Sequence, residues 1–280
     1  MKARGDTAAR PAARLSWALS GAPGDDLDVG TDWPGVPMSD WAFAGATGAG
    51  VRVCVVDSGV EEDHELVGPL AGAYTVETGR SGEPRVVRDE DGDTSGHGTA
   101  CASLIRGLAP DCELTSMRVL GGYFGGGETL IAGLRWAIEN EFDVINLSLS
   151  TTKRHFGATL RELTDDAYFG RTLVVASAHN MRVESFPWRF SSVISVGSHA
   201  EPDPWLFYYN PRPPVEFYAG GVDVPVAWRG GRRTVCSGNS FATPRIAGIC
   251  ALIRGKHPEL PPFQVKTALY LSAANVRERK

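Results

Sequence analysis

Three short segments of the chain carry the side chains of nucleophilic catalysis. They are Val55-Val56-Asp57-Ser58-Gly59, Gly96-His97-Gly98-Thr99 and Gly238-Asn239-Ser240-Phe241-Ala242-Thr243-Pro244. A serine hydroxyl is a weak nucleophile until a base takes its proton. His97, expected to be neutral near pH 7, can be that base and can later protonate a leaving amine. A carboxylate at Asp57 would hold the imidazole tautomer and stabilise the imidazolium that forms. The tetrahedral oxyanion then needs donors already in place. The side-chain amide of Asn180 and the backbone N–H of Ser240 can supply them.

Chain order decides between two ways of assembling these groups. Gly238 to Ala242 matches a G-x-S-x-G elbow with Ala in the last place, but hydrolases built on that elbow order their triad Ser, acid, His. No Asp follows Ser240, the only later histidine is His257, and the only later acids, Glu259 and Glu278, lie beyond it. That reading fails. The order Asp57, His97, Ser240 is the subtilisin order.

The three segments resemble the signature segments of the subtilisin-like serine proteases, the subtilase family. Between them, Asp143 to Leu149 resembles the family's substrate-flanking strand, and Val174 to Asn180 its oxyanion-hole strand. The resemblance runs from about Trp41 to Asn275 in the family's order. It implies a cofactor-independent serine endopeptidase with Asp57, His97 and Ser240 as the triad and Asn180 in the oxyanion hole. It also implies a peptide or protein substrate bound as an added strand. One edge would be the glycine-rich Gly121 to Gly127, with Gly121, Gly122 and Gly125. The other would be Ser148, Leu149 and Ser150. Several positions depart from the family's pattern. Ser150 and His179 stand where glycine is usual, beside the presumed S1 pocket. Asn239 replaces the usual Thr, Phe241 the usual Met, and Arg245 a frequent His.

The elements that must position these residues alternate along the chain. Val51 to Val56 is a β-branched run that reads as a buried strand ending in a turn at Asp57. A helix is expected from His97 to about Gly107, a strand over 114–120, a helix from about Leu130 to Asn140, and a strand over 142–149. A helix over 160–169 and strands over 173–178 and 193–197 follow. Prolines from 202 to 225 suggest irregular β-structure, and helices close the chain at about 240–255 and 263–274. Residues 77–95 read as a surface loop. Strand–helix alternation is what parallel crossovers require, so the expected fold is a three-layer α/β/α sandwich with a mostly parallel sheet. Active sites on such sheets lie outside the carboxyl ends of the strands. Residues 1–30 are expected to be a loosely ordered extension, and 31–280 the peptidase domain.

Composition narrows the partners. A net charge of −5 implies no broad surface for nucleic acid. The longest apolar run, Ile246 to Ile253, falls far short of the ~20 residues of a membrane span. The five cysteines form no C-x-x-C pair, and their odd number leaves a free thiol, which leans towards a reducing compartment. The stretch from Leu15 to Ala22 is broken by Ser16 and Ser20 and makes a poor signal sequence. The segment before Asp57 is also short for a folding prodomain. An intracellular, cytoplasmic protease is therefore expected, and a dedicated precursor peptide is one substrate that would suit it.

Other residues compete for these roles. His64 could rival His97 but lacks its Gly-His-Gly-Thr context and reads as a surface residue. Asp93, four residues before His97, could rival Asp57. His155, His199 and His257 read as structural or solvated. Asp89, Glu90, Asp91 and Asp93 read as a solvated acidic loop, and no metal site is assigned. The alternative to an enzyme is a catalytically inactive module of the same fold that binds peptides in the same groove.

Overall fold

The computed structural model describes residues 29–31, 38–79, 82–121 and 126–278. In chain order the elements are β1 (Val29–Thr31), α1 (Met38–Ala42), β2 (Arg52–Asp57), β3 (Gly72–Thr78), β4 (Pro84–Arg88) and α2 (His97–Leu108). Next come β5 (Glu113–Arg118), α3 (Gly127–Glu139), β6 (Val144–Leu147), α4 (Gly157–Phe169), β7 (Leu173–Ser177) and β8 (Ile194–His199). The chain ends with β9 (Phe207–Tyr209), β10 (Phe217–Gly220), β11 (Val224–Trp228), β12 (Arg232–Cys236), α5 (Asn239–Lys256), α6 (Pro262–Ser272) and β13 (Val276–Glu278).

Nine strands form the main sheet in the order β4-β3-β5-β2-β6-β7-β8-β10-β9. Its interior pairs are parallel, and only the outer pairs, β3 with β4 and β10 with β9, are antiparallel. Alternation along β2 shows why both faces must be covered. Val53 and Val55 enter the core that α2, α5 and α6 close, while Cys54 and Val56 enter the core that α3 and α4 close. A strand buried on both faces reads as a continuous apolar run, as β2 does. The expected three-layer sandwich is the observed architecture.

The segment expected to be a surface loop, 77–95, is corrected in part. β3 extends to Thr78, and β4 pairs with it antiparallel at the sheet edge. β4 reads Pro-Arg-Val-Val-Arg and is largely exposed. Charge and proline are how edge strands avoid pairing with other chains, and the same composition hides them from an apolar-pattern reading.

Candidate active site

The chemistry-bearing residues converge at the carboxyl end of the parallel sheet. Asp57 is the last residue of β2, Ser148 follows β6, and Asn180 follows β7. His97 opens α2, and Ser240 lies in the first turn of α5. A close approach sets the first pair. A Cβ on Gly98 would lie 2.0 Å from the Gly59 carbonyl oxygen, so only glycine lets the start of α2 abut the turn after Asp57.

Asp57 is fully buried, and its Oδ1 accepts from His97 Nδ1 at 2.8 Å and from the Ser58 N–H at 2.8 Å. The imidazole keeps about a quarter of its surface exposed, at 26%. Its ring lies 5.3 Å from that of Phe241. Burial of the ring works against protonation and is the largest single influence, but the charge and hydrogen bond of Asp57, together with Cys101, outweigh it, and His97 is raised above the ordinary imidazole value. A protonated His97 cannot accept the serine proton. The acid-side inflection of kcat/KM should therefore lie above 6.5. A pH–rate profile on a peptide substrate checks this, and an inflection at or below 6.5 would contradict it.

Ser240 Oγ makes no hydrogen bond to His97 among the described residues. Such bonds are often long without substrate and tighten in the complex. The position of Gly238 relates the hydroxyl to Asn180. A Cβ there would stand 3.2 Å from Ser240 Oγ and 3.5 Å from Asn180 Nδ2. One point therefore contacts both the nucleophile and an amide donor. The Asn239 N–H donates to Asn180 Oδ1 at 2.9 Å, which commits that oxygen inward and leaves Nδ2 as the outward donor. Ser240 lies in the first turn of α5, whose free N–H groups carry the positive end of the helix dipole.

A buried cysteine, Cys101, lies beside this arrangement. Cys101 Sγ is 3.6 Å from the Ser240 carbonyl oxygen and 3.9 Å from both Asp57 Oδ2 and His97 Nδ1. Its spacing of four from His97 on α2 was the available signal, because such residues share a helix face. Burial pushes its thiol pKa up, so at neutral pH it is an uncharged thiol beside the Asp57–His97 pair. These three residues are the one cluster among the described residues with the side chains to hold a metal ion.

The rival residues fall elsewhere. Asp93 does not touch His97. It accepts from Ser58 Oγ, from the Ser95, Gly96 and Thr99 N–H groups, and from Thr99 Oγ1, and so ties the loop before α2 to the turn after β2. His64 is corrected from a surface residue to a buried one, bonded through Nε2 to the Arg232 carbonyl at 2.8 Å. The acidic loop is corrected in part: Glu90 and Asp91 are exposed as expected, but Asp89 is not solvated. The Asp89 side chain is fully buried and pairs bidentately with Arg118, which also meets Asp91. His199 is buried, as a structural histidine should be, with Nε2 on the Leu206 carbonyl.

Of the substrate-binding residues, Gly121 is described and exposed, with φ +110°. Gly122 and Gly125 lie outside the described residues. Ser148, Leu149 and Ser150 run on from β6 in no β-ladder among the described residues, up to a bridge between Thr151 and Phe186. His179 Nδ1 accepts from the Met181 N–H at 3.0 Å.

A model of the Subtilase family matches residues 48–280. The chain belongs to the subtilase family. It is 31% identical over 249 residues to Subtilisin DY of Bacillus licheniformis, a match covering 83% of this chain and 86% of that one. It is likewise 31% identical to Alkaline elastase YaB of Bacillus sp. (strain YaB), across 83% of this chain and 61% of that protein. The crystal structure of a cold adapted subtilisin-like serine proteinase superposes with a TM-score of 0.66 at 27% identity, covering 81% of this subtilase and 83% of that chain. A lanthipeptide protease superposes with a TM-score of 0.63 at 22% identity, covering 78% of each chain, and shares the fold. This subtilase is accordingly a subtilisin-like serine endopeptidase. No helix among its described residues is long and apolar enough to cross a membrane.

Proposed function

We propose that Asp57, His97, Ser240 and Asn180 are the catalytic machinery of this protease, and that it cleaves a peptide chain through an acyl-enzyme. The observation that carries the reading is one point in reach of both Ser240 Oγ and Asn180 Nδ2, beside an Asp57–His97 pair bonded at 2.8 Å. Ser240 Oγ attacks the scissile carbonyl carbon while His97 takes its proton. The carbonyl π pair moves to oxygen, where Asn180 Nδ2 and the Ser240 N–H receive the charge. The intermediate collapses, the C–N bond breaks, and His97 protonates the leaving amine. Water then repeats the sequence on the ester, giving a carboxylate product and free Ser240. Labelling with a serine-directed phosphonate tests the assignment. The adduct should map to Ser240 by mass spectrometry, whereas a folded protein that takes no label would favour the inactive peptide-binding module.

The substrate in this reading is an extended strand between Gly121 and the stretch Ser148 to Ser150, because the latter's backbone lies in no ladder among the described residues. A dedicated precursor peptide or protein, processed inside the cell, suits the altered pocket positions Ser150 and His179. The five free cysteines support a reducing compartment. Side chains at 150 and 179 add volume where the family has none, so small or medium P1 residues should be preferred over Phe, Tyr or Leu. Overpacking of about 1–3 kcal/mol corresponds to roughly 5- to 150-fold in kcat/KM. His179 Nε2 can also donate to a polar or acidic P1 group, since Nδ1 is engaged by Met181. A P1-varied peptide series on the native protein and on His179→Gly reads both effects. A native preference for large P1 residues, unchanged by the glycine, would remove His179 from the pocket.

A further inference from the structure

Asn239 is fully buried, and its side chain bonds to two separate segments, β8 and the stretch after β7. Its Oδ1 accepts from the Ser198 N–H at 3.0 Å and from Ser198 Oγ at 2.8 Å, near the end of β8. Its Nδ2 donates to the Ala178 carbonyl at 3.2 Å and the His179 carbonyl at 3.4 Å, the two residues immediately before Asn180. Its backbone N–H donates to Asn180 Oδ1, and its own carbonyl accepts from Thr243 Oγ1 at 2.9 Å inside α5. These side-chain bonds run to the backbone just before Asn180 and to β8.

We infer that Asn239 is a positioning residue for the oxyanion donor, a clamp that locks the segment after β7 to the N-terminus of α5 and to β8. This rests on the assignment of Asn180 as that donor. The physical argument is one of reach. Asn180 is itself exposed and lies beyond the last residue of β7, so the sheet does not hold it. What holds it is its bond to the Asn239 N–H and the grip of Asn239 Nδ2 on the two preceding carbonyls. A hydroxyl has a single proton to donate, whereas a planar amide offers two donors and an acceptor with two lone pairs. Asn at 239 can therefore span Ala178, His179 and Ser198 at once. Donors aimed at an oxyanion act through placement, and an error of ~1 Å costs on the order of 100-fold.

The test is a double-mutant cycle of Asn239→Ala with Asn180→Ala, with kcat and KM measured per phosphonate-titrated active site. Asn239→Ala should lower kcat about 10- to 100-fold with KM little changed. In the Asn180→Ala background the same change should have almost no further effect, because a residue that acts through Asn180 has nothing left to position. Equal losses in both backgrounds, or a loss confined to KM, would overturn the clamp. If Asn180→Ala alone leaves kcat intact, the oxyanion assignment fails instead, and the two failures are thereby distinguished. Should Asn239→Ala not fold, Ser198→Ala serves in the cycle. It frees only one hydrogen bond to Asn239 Oδ1, and a loss of a few-fold in kcat that vanishes in the Asn180→Ala background supports the clamp. A loss that persists there overturns it.

Discussion

Replacing Ser240 with alanine should reduce kcat by about 10⁶-fold, the scale on which subtilisins lose activity without their nucleophile. The size follows from mechanism: without Oγ there is no acyl-enzyme, and what remains is binding plus stabilisation of a water-driven reaction. The fold should survive. Ser240 lies in the first turn of α5, its hydroxyl makes no hydrogen bond among the described residues, and it keeps 8% of its surface exposed at the site. Its carbonyl contact with Cys101 involves the main chain and is unaffected. The melting temperature should therefore move little, since removing an unpartnered surface-edge hydroxyl leaves no buried group unpaired. His97→Ala should cost about as much, and the double variant hardly more, because the pair acts as a unit. Activity assays on purified variants, with circular dichroism to confirm folding, decide the matter. A Ser240→Ala protein with most of its activity would mean that another nucleophile does the work.

The parts of the fold visible in the sequence are those where one physical signal dominates. β2 and β7 are buried on both faces, so their apolar runs announce a parallel sheet. Triad candidates were legible because each stands at an element boundary in the subtilisin order. Residues whose surroundings are assembled from distant segments were harder to read. His64 has acidic neighbours at Glu61, Glu62, Asp63 and Glu65 and looks solvated, yet a carbonyl from β12, 168 positions away, draws it inside. Asp93 has the spacing of a triad acid, but its oxygens are used by loop N–H groups. Asn239 looked like a simple departure from Thr, and its bonds to Ser198 and Ala178 lie 41 and 61 positions away. The acidic loop shows the same limit, since Arg118, which neutralises Asp89, belongs to β5.

Asn180→Ala should lower kcat by roughly 10²–10³ while KM stays within a few-fold. The magnitude is that of the subtilisins themselves and is carried over from those relatives. The split between constants follows from this chain's geometry. Nδ2 faces the point beside Ser240 Oγ, and Oδ1 is spent on the Asn239 N–H, so the side chain offers one donor to one developing charge. That charge is absent from the ground-state carbonyl and full only in the transition state and the tetrahedral intermediate. An interaction made only there changes kcat and leaves substrate binding alone. The remaining donor, the Ser240 N–H at the positive end of α5, is main chain and stays in place. The variant should therefore retain activity well above a Ser240→Ala protein. It should also still take a phosphonate label at Ser240, only more slowly, because the nucleophile and its base are untouched. The decisive measurement is kcat and KM for a single peptide on both proteins, with labelling rates beside them. An effect confined to KM would place Asn180 in ground-state substrate binding and remove it from the oxyanion hole.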